Sequence, residues 1–361
     1  MPASPVFIDL NTPRRFYRGG RRILAFRGLG VDDGFDGRRP EDWLGSTTHL
    51  FAEGGDGLTV LPDGSVLADE LERNTEAWLG AAHVARHGVD PGLLVKLLDA
   101  AERLPVHAHP DRAFATRHLD CSHGKTEAWL VLDADPGAMV WLGFREDVSP
   151  EHLTELVEAQ DEQLLEALNA FQVQRGDAVL VPAGQPHAIG AGVFVVELQE
   201  PTDFSVMLEH ERFDLDPAQS WLGLDRALAL TSVDRTALPQ AGIEALRRRW
   251  DRTGRPVTSV LPSAADEFFR AEVLRGEDGP ATAEAGFSVL VVVEGAGRLS
   301  TGDGHDVAVN AGNTVLTPQA CGDLTLTGPA TAIRCRPGQE TPKTTGTVDP
   351  ASTITHMEAR P

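Results

Sequence analysis

LPVHAHPD (residues 104–111), HGKTEAWLVL (123–132) and VPAGQPHAIGAG (181–192) decide how this chain is read. Side chains alternate faces along a strand, so His107 and His109 project to the same side before Pro110-Asp111 ends the segment. Glu127 heads the next apolar run, and His187 follows the Pro-Ala-Gly turn at 182–184. Any one of the twelve histidines, taken alone, reads as a surface or satisfied core residue. The joint pattern reads differently, because His107, His109, Glu127 and His187 fall at related ends of successive β segments. Imidazole nitrogens with one carboxylate suit Zn, Mn, Fe, Ni or Co and leave coordination positions open for substrate or water.

Outward from these stretches the pattern stays β. EAWLVLDA, AMVWLGF, DAVLVPAG and GVFVVELQ are short apolar runs parted by Gly, Pro and Asp. The last third repeats the style in FFRAEVLRG, FSVLVVVEGAGRLS, HDVAVNAGNTVLTP, DLTLTG and TAIRCRP. Such spacing argues a sandwich or barrel. QRGDAVLVPAGQPHAI (174–189) and NAGNTVLTPQACGDLT (310–325) share a frame of Gly turn, Val-Leu strand, Pro and short loop. Two tandem β-barrels are therefore expected. The second carries Gln319 and Cys321 where the first has its ligand histidine, and is expected to bind no metal.

Helical patterns interrupt the strands. SPEHLTELVEAQDEQLLEALNAF (149–171) predicts a helical insertion, with Ser149 as N-cap, Pro150 at the first helical position and Leu153, Leu156 and Val157 starting the apolar stripe. SVLADELERNTEAWLG (65–80) and DPGLLVKLLDA (90–100) read as helical or mixed, and IEALRRRW (243–250) as a short helix. The organisation expected is a metal-binding domain over 1–230, a helical connector over 231–255, a metal-free barrel over 256–340 and a polar tail over 341–361.

The formal charge of −22 disfavours nucleic acid and anionic membrane as partners. It also opposes an anionic substrate unless local cations reverse the field. Lysine is scarce, at Lys96, Lys125 and Lys343 only, yet one of the three lies in Gly-Lys-Thr-Glu beside the candidate ligands. Three scattered cysteines fit a reducing compartment. No apolar leader and no run long enough to span a bilayer are found, so a cytoplasmic protein, monomeric or homodimeric, is expected.

KLLDAAERLPVHAHPD, HGKTEAW, VPAGQPHAIGAG and VVELQEPTDFSV, with PEDWLGSTTHL upstream, resemble successive blocks of the type I phosphomannose isomerases, a family of the cupin superfamily. The resemblance covers roughly residues 15–210 and reaches the C-terminal barrel only in outline. It implies tandem cupin barrels, a bound zinc and aldose–ketose isomerisation, by default of mannose 6-phosphate to fructose 6-phosphate through a cis-enediol. The implied ligands fall on His107, His109, Glu127 and His187, where His107 departs from the glutamine typical of the family. The family's active-site arginine falls within MLEHERF, with Arg212 as a shifted equivalent.

Isomerisation moves a proton between adjacent carbons and needs a Lewis acid with a nearby acid/base, for which Lys125 is the candidate. Glu209 and Glu211 read as solvated charges, Asp111 as an Asx turn, and Arg112 as either an anion contact or a solvent-facing residue. Other readings are an isomerase of another sugar, phosphorylated or not, a cupin dioxygenase on Fe or Mn, and a storage or sugar-binding cupin. The Gly-Lys-Thr-Glu lysine separates them, because an oxygenase has no use for it.

Overall fold

The computed structural model describes residues 4–31, 34–51, 57–251 and 254–339. The tail at 341–361 lies outside them. Strands of the first part are β1 (Val6–Phe7), β2 (Glu41–Leu44), β3 (Leu94–Ala100), β4 (His107–Ala108), β5 (Glu127–Ala134) and β6 (Met139–Phe144). They continue with β7 (Leu168–Gln172), β8 (Asp177–Val181), β9 (His187–Ile189), β10 (Val193–Gln199), β11 (Val206–Met207) and β12 (Arg247–Arg249). The remainder holds β13 (Val257–Ser259), β14 (Phe269–Arg275), β15 (Ala281–Ala283), β16 (Ser288–Thr301), β17 (Asp306–Asn310), β18 (Thr314–Thr317), β19 (Leu324–Thr327) and β20 (Ala330–Pro337).

Two sheets face one another in the first part. One runs β12-β8-β5-β10-β3-β2 and the other β11-β4-β9-β6-β7, with all registered pairs antiparallel. The second part repeats the plan, since the order β18-β16-β20-β14 matches β8-β5-β10-β3. The repeat expected between 174–189 and 310–325 is thus seen in the pairing, with β8 on β5 and β18 on β16.

The six-stranded sheet is buried on both faces, and this fixes where the charged residues stand. Its outer face presents Val95, Leu97, Ala128, Leu130, Val196 and Leu198, packed against Val273, Val289, Val291 and Ile333 of the second barrel. Its inner face presents Leu98, Trp129, Val131, Val179 and Val195, packed on Val140, Leu142 and Ile189 of the facing sheet. Lys96, Glu127 and Glu197 belong to that inner face by strand alternation, all buried. A strand covered on both sides reads as a continuous apolar run, which is why 90–100 looked helical or mixed. Leu94–Ala100 is instead a fully buried strand between β10 and β2.

Two other segments differ from expectation. Arg247–Arg249 is an edge strand on β8 rather than helix, its arginines held by Asp177 and by the Phe171 ring. The insertion forms helices at Pro150–Ala159 and Glu162–Glu166, capped by Ser149 and Asp161, and then turns to strand at Leu168.

Candidate metal centre

His107 on β4 pairs directly with His187 on β9, and Glu127 opens β5 on the opposing sheet, so the group spans the two sheets at one end of the barrel. The three imidazole rings lie 4.2–4.9 Å apart between centroids. Each ring turns Nδ1 to a backbone carbonyl: His107 to Pro105 at 2.9 Å, His109 to Phe204 at 2.7 Å and His187 to Gln185 at 2.8 Å. A carbonyl only accepts, so Nδ1 carries the proton and Nε2 offers its lone pair. One ligand nitrogen from each ring can be chosen so that all three lie within 4.8 Å of one another.

These bare nitrogens meet a carboxylate. Glu127 Oε2 is 3.0 Å from His109 Nε2 and Oε1 is 3.3 Å from His187 Nε2, and the His187 nitrogen is buried without a hydrogen-bond donor. Acceptor facing acceptor at these distances is unfavourable unless a cation lies among them. Part of that demand is met by Lys125, whose Nζ donates to His109 Nε2 at 3.0 Å and lies 3.3 Å from Glu127 Oε2. Burial alone would raise the Glu127 carboxyl, but Lys125 and His109 hold it well below the usual carboxylate range. Burial, and then crowding against His187, His109 and Lys125, keep His107 well below its ordinary value, while burial and then Lys125 take His109 to about 3. The donor set is neutral imidazoles plus an ionised carboxylate, the chemistry a divalent ion requires.

Local structure explains the motif. Gly124 allows the Gly-Lys-Thr-Glu loop to touch the His-Pro-Asp loop, since a Cβ there would lie 2.7 Å from backbone atoms of Pro110, Asp111 and Arg112. Lys125 N–H donates to the Pro110 carbonyl at 3.0 Å, and Thr126 N–H to Glu200 Oε2 at 2.9 Å, which aims Lys125 inward. Trp129 Nε1–H donates to Glu127 Oε1 at 2.9 Å and orients the carboxylate.

Lys125 thus joins the four expected ligands, whereas Arg212 does not. It stands exposed on the single turn Glu211–Phe213 and lines neither cavity described below. Asp111 caps the helix Arg112–His118 through Phe114 N–H. Arg112 pairs with Glu200 and Glu267. Glu209 is buried rather than solvated, because Arg103 and the Val106 N–H bind its carboxylate.

Sequence reasoning missed the rest of the cavity wall. Beside His107, Lys125 and Glu127 stand Arg15, Tyr17, Glu41, Lys96 and Glu197. Glu41 accepts from Tyr17 at 2.5 Å and Trp43 at 2.6 Å, and Lys96 lies 3.3 Å from Glu41 and 3.5 Å from Glu197. Burial and then the Glu127 charge push the Glu197 carboxyl up to about 7. A signal existed in the lone charges inside LLVKLL and VVELQ, which have no place in a strand buried on both faces unless they line a site.

Comparison with known proteins follows the same lines. No family model matches the chain. The mannose-6-phosphate isomerase of Streptococcus mutans is 30% identical over 239 residues, covering 65% of this chain and 70% of that protein. ManA, the mannose-6-phosphate isomerase of Bacillus subtilis, is 28% identical over 246 residues, covering 67% and 73%. The solved Bacillus subtilis mannose 6-phosphate isomerase superposes with a TM-score of 0.71 at 23% identity, over 92% of this chain and 99% of that one. A mannose 6-phosphate isomerase bound with zinc and yttrium superposes at 0.68 with 15% identity, over 93% and 100%. With the identity and coverage of the streptococcal relative added to the tandem barrels, the chain belongs to the mannose-6-phosphate isomerase family.

Proposed function

We propose that this chain interconverts mannose 6-phosphate and fructose 6-phosphate, with His107, His109, Glu127 and His187 holding the metal, zinc by default, and Lys125 moving the proton. The observation that carries the reading is the convergence of two bare, buried imidazole nitrogens on Glu127, with Lys125 Nζ inside the same group at 3.0 and 3.3 Å. When bound, the metal supplies Lewis acidity toward the oxygens on C1 and C2.

The chain's own residues account for the remainder. The proton on C2 of the aldose must leave and one must arrive at C1, through an enediol shared by both sugars. Lys125 Nζ is at the reacting end of the cavity and can pass a proton between these carbons or their oxygens. Glu197, on the neighbouring strand β10 of the same wall, has its carboxyl raised by burial and by the Glu127 charge and can exchange a proton with the other oxygen. The buried Tyr17–Glu41–Lys96 set orients that wall and keeps it polar. A dioxygenase has no use for a lysine held within the ligand group.

A coupled assay for fructose 6-phosphate formation, run alongside oxygen uptake, tests the reading. Conversion in deuterated water should place solvent deuterium at the carbon that receives the proton. Oxygen consumption without isomerisation, together with complete absence of label, would overturn it.

A further inference from the structure

Two cavities meet above the metal centre. The inner one, about 40 Å³, is bounded by His107, Lys125, Glu127, Lys96 and Glu197. The outer one, about 310 Å³, opens past Leu50, Phe51, Leu215, Gln219 and Leu222. Arg15, Phe16, Asp203, Ser205 and Met207 line both. Among the described residues, Arg15 is the cationic side chain common to the two.

We propose that Arg15 is the residue that recognises the anionic end of the substrate, a phosphate monoester. The proposal rests on the isomerase reading and assigns the specificity of that same site. With C1 and C2 at the inner cavity, C3 to C5 carry the far end outward through the shared wall. Lys96 and Lys125 stay behind at the reacting end, and Arg14 is committed to Asp36 at the surface. In a chain of formal charge −22, a dianion needs a placed cation to enter at all.

Arg15 has donors to spare. Its NH1 donates to Asp203 Oδ2 at 3.1 Å and its NH2 to Asp203 Oδ1 at 3.3 Å. Nε lies 3.1 Å from Glu41 Oε1, outside hydrogen-bond geometry. A guanidinium has five N–H bonds, so with the end-on fork occupied by Asp203 one N–H on each terminal nitrogen is still uncommitted, each able to donate singly to a phosphate oxygen. The side chain is 15% exposed, which leaves it rigid yet reachable. Asp203 is itself tethered by Phe51 N–H at 3.3 Å, so it holds the guanidinium at the junction and partly offsets its charge.

The two roles of the pair give opposite expectations. Arg15→Gln should raise KM for mannose 6-phosphate about 10- to 100-fold while kcat changes far less, and weaken competitive inhibition by inorganic phosphate by a similar factor. Asp203→Asn should tighten phosphate inhibition severalfold, because Arg15 then keeps only Glu41 of its two carboxylate neighbours. The double variant Arg15→Gln/Asp203→Asn removes both charges, avoids leaving Asp203 buried alone, and should fold while keeping the Arg15→Gln phenotype. Melting temperature and metal content confirm that each variant is intact. A folded double variant with native KM and native phosphate inhibition would overturn the proposal, as would Asp203→Asn weakening phosphate. Calorimetric titration with inorganic phosphate separates the two readings. A native protein inert toward mannose 6-phosphate, yet binding phosphate in an Arg15-dependent way, would sink the isomerase reading and keep the anion site.

Discussion

Glu127→Gln isolates one charge in a closed setting. The amide keeps the size of the side chain and can still accept from Trp129 Nε1–H, as Glu127 does at 2.9 Å. In metal-free protein, the loss falls on Lys125, which is 5% exposed and lies 3.3 Å from the carboxylate. At that separation, and with an effective dielectric near 20, the gross attraction is about 5 kcal/mol. Removing one partner of a buried pair costs roughly 3–5 kcal/mol, because the other charge stays behind unpaired. His109 Nε2 remains as an acceptor at 3.0 Å, so the low end, about 3 kcal/mol, is expected. Lys125→Met should cost about 3–5 kcal/mol by leaving the carboxylate facing the bare His109 and His187 nitrogens. The double variant holds no uncompensated charge and should come within about 1 kcal/mol of the native protein, a coupling of several kcal/mol in a double-mutant cycle. Urea unfolding with chelator present, followed by tryptophan fluorescence, measures all four corners. Additive losses would refute the reasoning, since Lys125 and Glu127 would then be energetically independent.

Three further outcomes are expected. The native protein should carry about one equivalent of metal per chain, which chelation removes together with activity, and His187→Ala should fail to retain it in elemental analysis. Lys125→Met should lose about 10²–10⁴-fold in turnover with metal content nearly unchanged, and loss of both together in the same preparation would make Lys125 structural. His123 provides a pH test away from the metal. Burial pulls its pKa down, but Asp90 and Glu200 raise it to about 9, above its ordinary 6.5. Its contribution is therefore complete below pH 6.5 and lost as pH climbs through about 9. It amounts to about 2 kcal/mol, and His123→Gln should flatten that stretch of the stability profile, so an unchanged profile would contradict the pairing.

The metal cluster was legible because its spacing is local. Two histidines at i and i+2, a glutamate at a strand head and a histidine after a Pro-Gly turn keep their meaning without knowledge of the partners. The repeat was legible for the same reason, since 174–189 and 310–325 carry the same turns in the same order. Arg15, Tyr17, Glu41, Lys96 and Glu197 were not placed there, because Glu41, Lys96 and Glu197 meet only through sheet pairing and Arg15 and Tyr17 reach them from an irregular segment through side-chain contacts. Residues 94–100 failed on period, since burial on both faces erases alternation. Arg212 failed on position: three residues after Glu209 turns inward to Arg103, it projects from an exposed turn.

The short strand β1 has a consequence for how the chain is made. Val6 and Phe7 pair with Leu316 and Val315, so the second barrel borrows an edge from the opposite end of the sequence. At about 5–20 residues per second, synthesis separates these partners by roughly 15–60 s. The first segment is thus made long before its place exists, and waits beside a barrel it does not belong to. When Thr314–Thr317 emerges, its outer edge finds a partner already tethered nearby, and the backbone groups that would template pairing with a stranger are covered at birth.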